Sequence, residues 1–263
     1  MDSNGNFLIL SSEYKYILNK NIRFDVFYII SKINGTILSK YSLYENFKLY
    51  SNGINIQQKL LWPLDWTIVK DSKFEATHAN SFYQIQGLKN DTNFMKNGDY
   101  IINVLGRIKK ILIFDGQNFN LKNMVTPIPY FLHDVQVLPD GSLIYLNNIL
   151  GSENMSRSSI VNLRSLNRGQ SRIEIMDITN NKNQSYFTND QYSFYMGSSG
   201  SLQHFPDGSI LTLDFRDNTS TALLLSRSKE VLKKITMNKS GKIGIAYIKI
   251  KKLSLFLKKN IGI

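Results

Sequence analysis

The chain has 263 residues and 30.2 kDa, with 42% hydrophobic and 12% aromatic residues, which supports a sizeable core and excludes disorder over most of its length. Cysteine is absent, so disulfides, thiolate catalysis and Cys-ligated zinc are excluded. The net charge is +12, but Lys229–Ile263 carries ten Lys against one Glu and so supplies +9 of it. A polyanion or membrane-surface role would therefore rest on that tail; a solvated Lys- and Asn-rich surface accounts for the same charge, and nucleic acid is not an expected partner.

Along the chain the apolar residues recur every second position in short runs. These are Phe7–Leu10, Phe27–Ile30, Tyr100–Val104, Ile111–Phe114, Leu143–Leu146, Ile173–Ile178, Ile210–Phe215 and Ala222–Leu225, each bounded by turn-forming or charged residues. A helical stripe is suggested only over Lys229–Met237. No run of about 18 apolar residues occurs, so no membrane-spanning helix is expected. Met1–Gly5 has no basic residue and Phe7–Leu10 is too short for a secretory core; a signal peptide is not expected, and a cytoplasmic location is the default.

A turn-then-strand phrase repeats: Asn4-Gly5, Asn97-Gly98, Asp140-Gly141 and Asp207-Gly208 each lead into an apolar strand. Asn-Gly and Asp-Gly supply the positive φ of tight turns. Leu138-Pro139-Asp140-Gly141 and Phe205-Pro206-Asp207-Gly208 share their lead-in as well. Lys32–Leu38, with Asn34-Gly35 at its centre, reads as a hairpin at the outer edge of a small sheet. This periodicity predicts an all-β chain, a β-propeller of four-stranded antiparallel blades forming a single domain over residues 1–263. Six blades fit the length. Four are identified, at roughly 1–45, 79–125, 131–180 and 200–237, with 46–78 and 240–263 as weaker candidates. Residues 238–263 read as basic strands that close the ring. A β-sandwich is the competing architecture and fits the sequential repeat less well.

Five phrases carry a family resemblance. Thr77-His78-Ala79-Asn80-Ser81 resembles the H-x-N-S motif of the bacterial arylsulfotransferases. Tyr100–Arg107 is similar to their strand ending in an arginine, with Arg107 in that place. Phe131–Gly141, containing Leu132-His133-Asp134, is similar to their Q-H-D-x-x-x-L-P-x-G segment. Ser156-Arg157 with the following strand, and Gly200–Gly208, resemble two further segments of the family. The resemblance implies a six-bladed propeller with a site in its central channel. The implied activity is transfer of a sulfuryl group from a phenolic sulfate to a phenolic acceptor through a sulfated histidine. His133 takes the nucleophile's place, with His78 and Arg107 in support and Asn80 and Arg157 as substrate contacts. No cofactor or metal is implied, and family members are often periplasmic.

The chemistry of these residue types is coherent. A neutral imidazole is a competent nucleophile at neutral pH and splits one transfer into two steps. By analogy with phosphoryl transfer, the moving group gathers negative charge on its outer oxygens, where a planar guanidinium can meet two of them at once. A second imidazole can protonate the departing phenolate. Each residue also has a plain structural reading: His78 capping a strand entry, His133 satisfied by the neighbouring Asp134, Arg107 and Arg157 as strand-end cations. His204 reads as structural. Trp62, Trp66 and Tyr130 form either an aromatic wall for a phenol or packing between blades. The competing function is a propeller kept as a binding scaffold for an anionic small molecule or a protein. Its basis is that residues 1–77 contain no histidine, where the family has another.

Overall fold

The structure, a computed structural model, describes residues 1–50, 68–69, 73–106, 110–126, 132–147, 171–180, 182–187, 201–214, 219–228 and 230–238. Strands β1 (Phe7–Ile17) and β2 (Lys20–Ile30) form a long antiparallel hairpin, in register from Phe7 opposite Ile30 to Ile17 opposite Lys20. Leu18 and Asn19, with φ of 51° and 58°, make its two-residue turn. Consecutive positive φ values match the right-handed twist of the flanking strands. Leu-Asn is a weak turn signal, so the sequence shows the two ends of this hairpin and not its continuity.

The far edge of β2 is shared. Its second half pairs antiparallel with β3 (Ile37–Ser42), and Ile22 and Arg23 pair parallel with β5 (Lys73–Glu75), which also pairs with β4 (Ile68–Val69). A single helical turn, α1 (Phe47–Tyr50), follows β3. The described part of 46–78 therefore does not build a blade of its own: β4 and β5 complete the first sheet, making it five-stranded.

Three further sheets each have four strands in chain order. The second contains β6 (Thr77–Gln84), β7 (Tyr100–Gly106), β8 (Lys110–Phe114) and β9 (Leu121–Val125). The third contains β10 (Leu132–Val137), β11 (Leu143–Asn147), β12 (Arg172–Asp177) and β13 (Lys182–Phe187). The fourth contains β14 (Leu202–His204), β15 (Ile210–Asp214), β16 (Thr219–Leu225) and β17 (Val231–Asn238). The chain is all-β, and these sequential up-and-down sheets are the blades of a β-propeller. The helical stripe expected at Lys229–Met237 is instead β17, paired with β16 from Leu225–Val231 to Thr219–Asn238. Cross-strand pairing of Val231, Ile235 and Thr236 outweighs the weak helical spacing.

The repeated turn phrases fold alike. Leu138 N–H donates to Ser142 O at 2.8 Å and Gly141 N–H to Leu138 O at 2.9 Å; Phe205 to Ser209 and Gly208 to Phe205 repeat this, both at 2.9 Å. Asp2 to Asn6 and Gly5 to Asp2 repeat it again, both at 3.0 Å. Gly141 and Gly208 sit at φ of 88° and 86°, which is why glycine is required there.

The chain divides into two compact units, Met1–Tyr145 with Ile175–Gln184 and Leu146–Glu174 with Ser185–Ile263. The first unit holds the first two sheets, β10 and most of β11. Its aromatic core joins Phe24, Phe27, Tyr41, Phe82, Phe114 and Phe119, with the Tyr41 and Phe114 rings 4.6 Å apart. A second core of Ile101, Ile111, Ile113, Leu132, Val135, Leu143 and Tyr145 lies between β6–β9 and β10–β11. The second unit holds the fourth sheet, where Leu202, Ile210, Leu211, Leu213, Leu223 and Leu225 are buried.

Between β8 and β9 the turn approaches its neighbour closely: a Cβ on Gly116 would lie 2.3 Å from the carbonyl oxygen of Gly98. Gly116→Ala is expected to lower stability by about 1–3 kcal/mol, as overpacking against backbone does. Gly87→Ala meets nothing within 4 Å and bears only its φ cost. Urea unfolding of the two variants checks the difference; a Gly116→Ala midpoint equal to wild type would contradict it.

Candidate functional site

The site begins with an irregularity in β6. Pairing with β7 runs His78 to Leu105 and Ala79 to Val104, then skips a residue so that Ser81 meets Asn103. Asn80 is the extra residue of a β-bulge. A bulge reverses the alternation of faces. Ala79 before it and Phe82 after it therefore both face the aromatic core, whereas His78, Ser81 and Tyr83 share the side on which Asn103 and Ile101 stand. That side packs against β10.

β10 is the end strand of its sheet, so its outer backbone groups need partners outside the ladder. The Leu132 carbonyl accepts from Asn80 Nδ2 at 2.8 Å and from Asn103 Nδ2 at 2.9 Å, which fills both its lone pairs. Asn103 Nδ2 also donates to Asn80 Oδ1 at 2.7 Å, so the three groups form a closed triangle. The next residue is His133, 7% exposed, and after it comes Asp134, 5% exposed. Asp134 has a φ of 52°, inside the left-handed region. Its carboxylate accepts from the Tyr83 hydroxyl of β6. A buried non-glycine residue in this conformation is held there by its surroundings, at about 1–3 kcal/mol.

Two buried polar atoms nearby lack partners among the described residues, Ser81 Oγ and Asn103 Oδ1. They belong to directly opposed residues on β6 and β7. On the other side of β6, Asp25 of β2 is fully buried. Its carboxylate accepts from Ala79 N–H at 2.7 Å and Arg23 Nη2 at 3.1 Å, and its own N–H donates to Thr77 Oγ1 at 2.7 Å. Burial pushes the Asp25 carboxyl above its ordinary value, and the Ala79 amide, Thr77, Arg23 and His78 offset that only in part.

Of the residues singled out in sequence, His78, Asn80 and His133 all lie in the first unit, on the facing strands β6 and β10. Asn80 and the residue before His133 are in direct hydrogen-bond contact. Arg107, Arg157, Trp62, Trp66, Tyr130 and residues 239–263 lie outside the described residues. His204 is half-buried at the end of β14, in the second unit. Counting back from the shared turn places it level with Val137, four positions beyond His133. Asn103, Tyr83 and Asp25 escaped the sequence reading. Asn103 had one available signal, an amide in the middle of the apolar strand Tyr-Ile-Ile-Asn-Val-Leu, where asparagine is disfavoured.

A separate open cavity of about 360 Å³ is lined by Phe94, Asp140, Ser142, Asp177 and Asn180 among others, and by none of the candidate catalytic or substrate-contact residues. Among the described residues no helix is long and apolar enough to cross a membrane.

No protein-family model matches the chain, and no curated protein matches it. Among solved structures it is similar to the Dos1 propeller, at 11% identity and a TM-score of 0.38, over 85% of this chain and 45% of that one. This chain thus spans less than half of that chain's length. The blade assignment rests on the strand order and repeated turns described above.

Asp25 makes stability depend on pH. Its carboxyl is raised in the folded state, so between neutral pH and the ordinary carboxylate range the folded protein binds more protons than the unfolded chain. The contribution is therefore present at low pH and is lost as pH rises through the folded-state value. Relative to Asp25→Asn, wild type is expected to gain stability as pH falls from about 7 toward about 4. Urea unfolding of both proteins across that range checks the sign; a difference constant in pH would contradict it.

Proposed function

We propose that the protein transfers a sulfuryl group between phenolic compounds, with His133 as the nucleophile, His78 as the proton donor to the departing phenolate and Arg107 as the cation that meets the sulfuryl oxygens. The observation that carries the reading is the direct contact between two motif segments far apart in sequence: Asn80, two residues from His78, hydrogen-bonds the residue before His133. A shared site needs the two imidazoles on facing strands, and β6 and β10 supply that. Arg107 follows the last residue of β7 in the chain, and Arg157 is a further candidate contact for the anionic substrate.

In this mechanism His133 attacks sulfur as its neutral imidazole. The S–O bond to the donor phenol breaks as the N–S bond forms, and the phenolate leaves with a proton from His78. The acceptor phenol then gives its proton to the same base and attacks the sulfated imidazole, regenerating His133. Holding the groups in line supplies much of the acceleration, because the transferring group is loosely bonded at the transition state.

The second reading is a scaffold that binds a ligand without transforming it. It draws on Asn80, whose amide is engaged with Leu132 O and Asn103, and on the absence of histidine before His78. Incubation with 4-nitrophenyl sulfate and phenol separates the two. Acceptor-dependent nitrophenolate release is expected in wild type. It should be lost in His133→Ala and reduced about 10²–10⁴-fold in His78→Ala, the usual worth of a positioned proton donor. Release that survives His133→Ala, or no release at high protein concentration, overturns the transferase reading.

A further inference from the structure

We propose that Asn103 and Tyr83, on the second sheet, are positioning residues for His133. Asn103 acts on the residue before it and Tyr83 on the residue after it. The inference rests on the reading of His133 as the nucleophile.

The Leu132 carbonyl belongs to the peptide group that leads into His133, so fixing that oxygen fixes the plane from which the His133 side chain departs. Asn80 and Asn103 hold it from β6 and β7. The Asn103–Asn80 bond also fixes which end of each amide points where, since both Asn103 donations come from Nδ2. On the other flank, the Tyr83 hydroxyl binds the carboxylate of Asp134 while the Asp134 backbone takes its left-handed turn. His133 is thus pinned on both sides by side chains from one neighbouring sheet.

Asparagine at position 103 satisfies the Leu132 carbonyl, but only by leaving its own acceptor empty. The residue is 1% exposed in an otherwise apolar strand, and its Oδ1 finds no partner among the described residues. A buried acceptor left empty is unfavourable, and an apolar residue of similar size avoids that cost. What the amide adds is direction: two donors on one nitrogen, aimed at Asn80 and at the peptide before His133. The bulge at Asn80 serves the same end, turning Tyr83 and Ser81 toward β10.

The test uses the three histidines as internal reporters. In a chain with so few, each imidazole Cε1–H signal is assignable by replacing His78, His133 and His204 in turn. Asn103→Leu and Tyr83→Phe are each expected to displace the His133 signal while leaving that of His204, in the other unit, unmoved. In the sulfuryl-transfer assay kcat should fall about 10²-fold for Asn103→Leu, the scale of an ångström-sized misplacement, with KM changed less than threefold. Tyr83→Phe removes a single hydroxyl and decides the matter if Asn103→Leu does not fold. A His133 signal unchanged in Tyr83→Phe, or displaced together with that of His204, overturns the inference. Should wild type transfer no sulfuryl group, the reaction fails on its own, and the spectra still decide what orients His133.

Discussion

An end strand must satisfy the backbone groups that its own sheet cannot reach, and β10 meets this constraint at Leu132 by borrowing two amides from the neighbouring sheet. Much of the local architecture follows. Asn80 must leave the regular ladder to reach across, so β6 bulges there. Once β6 bulges, the faces of its later residues reverse, and Tyr83 arrives beside Asp134. His133 lies between the two contacts. Two segments of chain more than fifty residues apart are thereby brought into one place by a hydrogen-bond requirement, with apolar packing beneath.

Irregular features of the first unit fall at this contact and elsewhere: register also shifts between Ile29 and Ile30 and between Ile113 and Phe114, Leu18, Asn19 and Phe119 also have positive φ, and the Tyr41 hydroxyl also lacks a partner among the described residues. The bulge at Asn80, the left-handed Asp134, and the unpartnered Ser81 Oγ and Asn103 Oδ1 all fall on β6, β7 or β10. Beneath them the cores are apolar, with aromatic rings stacked or edge-on at 4.6–6.4 Å. Each irregularity is unfavourable for folding by the ordinary rules of strand geometry and burial.

The blades were legible in sequence because two signals agreed: period-two apolar runs, and Asn-Gly or Asp-Gly turns. The repeated hydrogen bonds of the Gly5, Gly141 and Gly208 turns show why the second signal recurs. Where one signal was missing the reading failed. The Leu18-Asn19 turn has no glycine, so the full β1–β2 hairpin stayed hidden. β5 joins β2 in parallel over two residue pairs, and no local pattern announces so short a long-range pairing. β17 looked helical over a few residues and is held as a strand by β16. For the candidate site, motif spacing named His78, Asn80 and His133, which lie on β6 and β10. It was silent on Asn103 and Tyr83, because a side chain that contacts only the neighbours of His133 leaves no spacing of its own.

That silence has a physical source. A nucleophile is recognised by its own chemistry, and three histidines make a short list. Positioning is a relation between strands, and it depends on bulge, register and face, none of which is a property of one residue. In sulfuryl transfer the relation outweighs the residue: the moving group is weakly bonded to both partners, so geometry matters more than intrinsic reactivity. Strands with fixed pairing are suited to that demand, since each side chain inherits its direction from a hydrogen-bonded ladder and not from a loop. At His133 the preceding peptide carbonyl and the following residue's carboxylate are both held by another sheet, which fixes the backbone from which the imidazole of the proposed nucleophile departs.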